Sequence, residues 1–166
     1  MPRPSELRAF YDGWATRQHQ LLDALRPLTP EQMQLRPAPG EWAIWQLASN
    51  MAGGRLYWLC FILGEDNSGA EDLFQDGGWE DTPEHPRTAQ EIIDAFERTW
   101  TVVERCLDRW TLADLNVEVT RKNWWDQEIT VSPGWVLWRM MSHEVHHSSE
   151  IALILRIHGL PSDLNM

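Results

Sequence analysis

"TAQEIIDAFERTWTVVERCLDRW", residues Thr88 to Trp110, decides the class of the fold. Its large apolar residues Ile92, Phe96, Trp100, Val103, Leu107 and Trp110 recur at intervals of 4, 4, 3, 4 and 3. That spacing lines up one face of an α-helix. Thr88 and Glu91 stand just ahead of the stripe in capping-box arrangement, where the hydroxyl and the carboxylate each take an orphan backbone N–H. A helix with one apolar stripe must bury it against another element.

Working outward, the neighbours are also helical. Leu7, Phe10, Tyr11, Trp14, Leu21, Leu22 and Leu25 predict a first helix over about residues 5–26, closed by Pro27. Thr29-Pro30-Glu31-Gln32 is a second capping box with proline at the first helical position, and it predicts a short helix. After the loop "RPAPGEW" a second long helix runs from about residue 41 to 63, stopped by Gly64. Residues 65–87 are acidic, rich in Gly and Pro, and irregular. Downstream, Val117, Val119, Ile129 and Val131 alternate with polar residues and predict two short extended pieces. Ser132-Pro133 opens a last helix that reaches about His158 before Gly159 and Pro161 end it. The expectation is an all-α four-helix bundle with long crossover connections, a short extended hairpin between helices 3 and 4, and a single domain over residues 1–166.

Composition narrows the function. The formal net charge of −11, with no run of Lys or Arg, excludes nucleic acid and anionic membrane surfaces as natural partners. No apolar run is long enough to span a bilayer, and the N-terminal stretch lacks an apolar signal-peptide core. Cys60 and Cys106, the two cysteines, sit in apolar helical patterns and suit a reducing compartment, so the expected location is the cytoplasm. The eleven tryptophans serve as core fillers, with a few left to wall a small-molecule pocket.

The last helix carries "SHEVHH", Ser142 to His147, which contains the zincin pattern His143-Glu144-x-x-His147. At about 100° per residue His147 falls about 40° from His143, Glu150 about −20° and Ile154 about 20°. His146 lies at about −60°, at the edge of the stripe. Two imidazoles at i and i+4 can share one metal ion. Glu144, about 100° away from His143, points elsewhere. A protease needs a third ligand downstream, and the extended pattern would place Gly at 150 and His at 153, where this chain has Glu150 and Leu153. The third ligand must come from a facing helix. His19, His85 and His158 occupy no facing position, but Gln46, Asn50, Gly53, Gly54 and Tyr57 form a polar stripe on the second helix. Met141, Val145, Ala152 and Leu155 make the last helix apolar on its other face too, which a homodimer would bury.

"PGEWAIWQLASNMAGGRLYWL" (Pro39 to Leu59) followed by "MSHEVHHSSEIALILRIHG" (Met141 to Gly159) resembles the DinB-like (DinB/YfiT) superfamily over nearly the whole chain. The resemblance implies a four-helix bundle, often dimeric, with one divalent metal held by three histidines. One of these comes from the second helix and two from the last. It also implies thiol-dependent transferases and isomerases that use bacillithiol, mycothiol or glutathione. This chain departs from that pattern at the second-helix ligand position, where Asn50 stands for His, and after the last His, where Ser148-Ser149-Glu150 stands for Arg-Gly-Gln. Two readings follow. His143 and His147 bind zinc, nickel or manganese with Asn50 or Glu150 as third ligand, and the protein is a metal-dependent transferase or hydrolase that joins a low-molecular-weight thiol to a small electrophile. Alternatively the metal is lost, and a non-catalytic or stress-associated protein binds a small ligand in a degenerate site. In both, Gln46, Gly53, Gly54, Tyr57, His146, Trp42, Trp124 and Trp125 are the expected pocket residues.

Overall fold

The computed structural model describes residues 6–74, 85–162 and 164. Residues 75–84, the middle of the acidic stretch, lie outside that set. Five helices are described: α1 (Glu6–Phe10), α2 (Asp12–Leu25), α3 (Ile44–Leu56), α4 (Ala89–Arg109) and α5 (Pro133–Ile157), with a hairpin of β1 (Val119–Lys122) and β2 (Glu128–Val131) between α4 and α5. α3 packs against both α4 and α5, and α1 and α2 pack against α4. The four-helix bundle and its hairpin therefore stand as expected, with α1 and α2 sharing one position.

The helix starts follow the caps. Thr88 Oγ1 accepts from the Glu91 amide, and Glu91 Oε2 accepts from the Thr88 amide. The stripe that they launch is buried at Ile92, Phe96, Val103 and Leu107. The Thr29–Gln32 box closes in the same way and starts a single 3-10 turn, Gln32–Gln34. Ser132 caps α5 by accepting from the Trp135 amide. In the hairpin Val119 faces Val131 and Lys122 faces Glu128, antiparallel.

Two helices differ from the expectation. The first breaks at Tyr11, where the Trp14 amide bonds the Tyr11 carbonyl in a tighter turn and the chain restarts as α2. The second does not stay α-helical to its end. From Tyr57 to Ile62 it widens into a π-helix, with the Leu63 amide reaching back five residues to the Trp58 carbonyl. Gly64 then closes it at φ +78, and the Glu65 amide bonds the Leu59 carbonyl. A left-handed residue at this position favours glycine. The second face expected on α5 is also corrected. Ala152 and Leu155 are buried inside the same chain, Val145 of the expected set does point outward, and the other outward apolar residues are Trp135, Trp138, Leu153 and Ile157. No described helix is long and apolar enough to cross a membrane.

Candidate metal and ligand site on α3 and α5

His143 and His147 stand one turn apart on α5 and their rings meet at 87°. Nε2 of one lies 3.0 Å from Nε2 of the other. On the far side of the His147 ring, Nδ1 lies 2.6 Å from Glu150 Oε2. A carboxylate only accepts, so His147 carries its proton on Nδ1 and its Nε2 lone pair faces His143. The network then assigns the His143 proton to Nε2, from which it donates to His147. Trp42, in the loop ahead of α3, stacks on the His147 ring at 6.2 Å and 22°.

Both imidazoles are held neutral. Burial pushes His143 down to about 3, helped by the charges of His147, Arg139 and His146. Burial also lowers His147, against the opposing hydrogen bond and charge of Glu150. The linkage sign follows. Below the ordinary histidine value of about 6.5 the unfolded chain takes up protons that the folded chain refuses, so stability falls as pH drops. Chelator-treated protein is expected to lose stability from pH 6.5 to 5, ahead of general carboxylate protonation. His143→Leu should flatten that slope in denaturant titrations at each pH; an unchanged slope would place the proton uptake elsewhere.

Two cavities flank the pair. One, of about 320 Å³, lies between α3, the hairpin and α5, and is lined by His143, Asn50, Gly54, Tyr57, Trp58, Asn123, Trp124, Trp125, Ile129 and Arg139. The other, of about 340 Å³, is lined by Trp42, His147 and Glu150 with Pro37, Glu41, Leu47, Leu153 and Ile154. The sequence-predicted residues therefore divide. Asn50, Gly54, Tyr57, Trp124 and Trp125 gather beside His143, and Trp42 beside His147. Gln46 is buried and spends its Oε1 on the Ala43 amide at the start of α3. Gly53 is buried within α3. His146 is exposed, with Nε2 3.7 Å from Glu150 Oε1. Among the described residues the potential ligand atoms that all lie within 4.8 Å of one another belong to His146, His147 and Glu150.

The aromatic wall depends on the π turn. Tyr57 packs on Trp124 of the hairpin at 4.5 Å and on its own neighbour Trp58 at 5.0 Å. Gly54 adds room at the bottom, since a Cβ there would lie 3.6 Å from His143 Cε1, in ordinary contact. Gly134, at the start of α5, is different: a Cβ would sit 2.9 Å from the Leu115 carbonyl oxygen. Opposite signs are expected. Gly54→Ala should stabilise by about 0.5–1 kcal/mol through helix propensity, and Gly134→Ala should destabilise because backbone must move. Thermal melts of the two variants check this.

Glu144 does point away from the histidines, but it does not reach solvent. Its carboxylate takes Arg55 Nε at 2.7 Å and Arg55 Nη2 at 2.9 Å, and Trp14 Nε1 donates to it at 2.8 Å. Arg55 Nη1 donates to Gln18 Oε1 at 2.6 Å. This buried network ties α2, α3 and α5 together. Sequence reasoning missed it, although the signal was present: Arg55 interrupts the apolar run of α3, and Glu144 stands between the buried Met140 and Ile151. Arg139 of the His143 cavity was missed too, having no motif to mark it.

The geometry invites comparison with known proteins. The chain is similar in structure to a DinB-like protein from Bacillus cereus ATCC 10987, with a TM-score of 0.66, 23% identity, and coverage of 92% of this chain and 93% of that one. It is also similar to a protein assigned to the DinB family from Exiguobacterium sibiricum 255-15, with a TM-score of 0.67, 19% identity, and coverage of 98% and 99%. At those identities the likeness speaks for the fold. No curated protein matches the sequence. The sequence model of the DinB family matches residues 1–163, nearly the full length over which the bundle and its two-histidine helix are laid out, and the chain belongs to the DinB family.

Proposed function

We propose that this protein binds one divalent metal ion between His143 and His147 and acts as a metal-dependent enzyme on a small electrophile. The observation that carries the proposal is the approach of the two Nε2 atoms to 3.0 Å. Two nitrogens bonded to one zinc at about 2.0–2.1 Å stand about 3.3 Å apart at a tetrahedral angle, so a few tenths of an ångström open the pair to an ion. Both rings are neutral, as ligands must be. His143 has only to move its proton from Nε2 to Nδ1. Glu150, on Nδ1 of His147, fixes that ring's tautomer and direction, the usual part of a carboxylate behind a histidine ligand. Asn50, on the cavity wall with His143, is the third protein donor in this reading. The competing group of His146, His147 and Glu150 has Glu150 on Nδ1 of His147, and only its His146 is exposed.

A bound divalent ion would supply Lewis acidity and lower the pKa of a thiol or water at its open position. The chain's own residues do the rest. Tyr57, Trp58 and Trp124 give the substrate an apolar wall, and Asn50 lies on the same cavity lining. The thiol co-substrate belongs to the proposal by family resemblance and would enter through one of the two flanking cavities.

A second reading has its own observation. Asn50 offers an amide oxygen, a poorer ligand than imidazole for zinc or nickel. A metal-free protein would then bind a small ligand in the same cavity without catalysis. Titration of tag-free, chelator-treated protein with Zn²⁺, Ni²⁺ and Mn²⁺ in a calorimeter separates the two. One ion per chain with sub-micromolar affinity is the expected result. No uptake of any of the three ions gives the site to the metal-free reading.

A further inference from the structure

Arg139 is the cation of the His143 cavity, and nothing among the described residues neutralises it. It sits one turn ahead of His143 on α5 and lines the cavity with Tyr57, Trp58, Trp124 and Trp125. The same lining includes no Asp or Glu. The other partly buried arginines bond to the chain. Arg8 pairs with Glu104 and Asp108, Arg87 with Glu91, Arg105 with Asp66, and Arg98 with Asp72. Arg17 donates to Gln20, and Arg36 donates to the Glu41 carbonyl. Arg139 makes no ion pair or side-chain hydrogen bond of this kind among the described residues. In a chain with 25 acidic and 14 basic side chains, an arginine kept clear of carboxylates in a half-buried pocket is a charge held for something else.

A guanidinium presents a planar fork of donors matched to carboxylate, and a charge-assisted bond of this kind gains strength where water is partly excluded. The aromatic rings around it offer stacking faces to a flat body. We propose that the cavity beside His143 takes a small planar organic acid, with Arg139 binding its carboxylate and Tyr57 and Trp124 packing against its apolar part. This inference rests on reading that cavity as the ligand site. It adds to the metal proposal the charge and shape of what is bound, and it makes Arg139 a specificity-determining residue.

The test uses 2-naphthoate and its neutral counterpart 2-naphthamide as probes. Both are titrated calorimetrically into the full chain before and after chelator treatment, with wild type, Arg139→Met and Arg139→Lys compared and metal uptake measured for each. In chelator-treated wild type, naphthoate is expected to bind at least tenfold more tightly than naphthamide, as one charge-assisted contact provides. Arg139→Met should erase that preference at unchanged thermal stability, and Arg139→Lys should keep part of it. Four results would overturn the proposal: equal binding of the two probes, a preference that survives Arg139→Met, naphthoate binding only when metal is present, or no binding of either probe to wild type. The two readings fail separately. Loss of metal uptake with the probe preference intact removes the metal and leaves Arg139 its role, whereas uptake without preference does the reverse.

Discussion

Glu144→Ala lowers the free energy of unfolding by about 3–5 kcal/mol, the usual cost of leaving one partner of a buried ion pair alone. The geometry places it at that level. Arg55 has no side-chain exposure, so its guanidinium cannot turn to water when the carboxylate goes. Its Nε and Nη2 lose their acceptor together, and Trp14 Nε1 loses its own. The contacts that remain to it include Gln18, the Phe96 carbonyl, Thr99 and the faces of the Phe96 and Trp100 rings at 4.8 and 5.4 Å. Glu144→Gln keeps the shape and one acceptor, and should cost less than Glu144→Ala. The double variant Arg55→Met with Glu144→Leu removes both charges and should recover part of the loss. It cannot recover all of it, because Trp14 and Gln18 keep buried polar groups without partners, at about 1–3 kcal/mol each. Equilibrium urea unfolding of the four proteins decides. A Glu144→Ala cost below about 1 kcal/mol would mean that water reaches the pair.

His147→Ala and His143→Ala each reduce divalent-metal affinity by more than about a hundredfold, since either change removes a ligand from the proposed set. Glu150→Gln is graded below them. It weakens the orienting bond to His147 Nδ1 without touching Nε2, and the expected loss is about 10- to 100-fold. His146→Ala should leave affinity nearly unchanged. That order is the discriminating result. If His146→Ala and Glu150→Gln cost as much as His147→Ala, and His143→Ala costs little, the ion sits with His146, His147 and Glu150 instead. Thermal melts in parallel show whether a variant has lost its ligand or its fold.

The two sites differ in how much of them could be seen in the sequence. Periodicity and caps located the helices because both are local: Thr88 with Glu91 and Thr29 with Gln32 need only neighbours within a turn. The pairing of His143 with His147 and the closeness of Glu150 followed from helical angles alone, for the same reason. What escaped depended on partners far along the chain. Arg55 finds Glu144 across 89 residues, and Trp14 reaches it across 130. Gln46 reads as a pocket residue from sequence because its angle on the helix matches Asn50. Angle does not show that a side chain at the first turn will fold back onto a free amide. Trp124 has no local pattern that assigns it to the pocket, and the structure supplies the reason in its contact with Tyr57.

The π-helix at Tyr57–Ile62 leaves α3 one residue out of phase with its own beginning. A straight α-helix of the same span would need one residue fewer to bring Leu63 and Gly64 to the same place, and it would satisfy its backbone more simply. The aromatic wall exists in the surplus. Deleting a single residue between 57 and 62 would let the hydrogen-bond ladder close in regular steps and would turn neighbouring side chains by about 100°. Tyr57, against Trp124 of the hairpin, and Trp58, against Trp135 of α5, could then no longer both keep their partners. The chain would gain a more ordinary helix and lose its pocket, so this stretch should accept residue exchanges far more readily than any change in length.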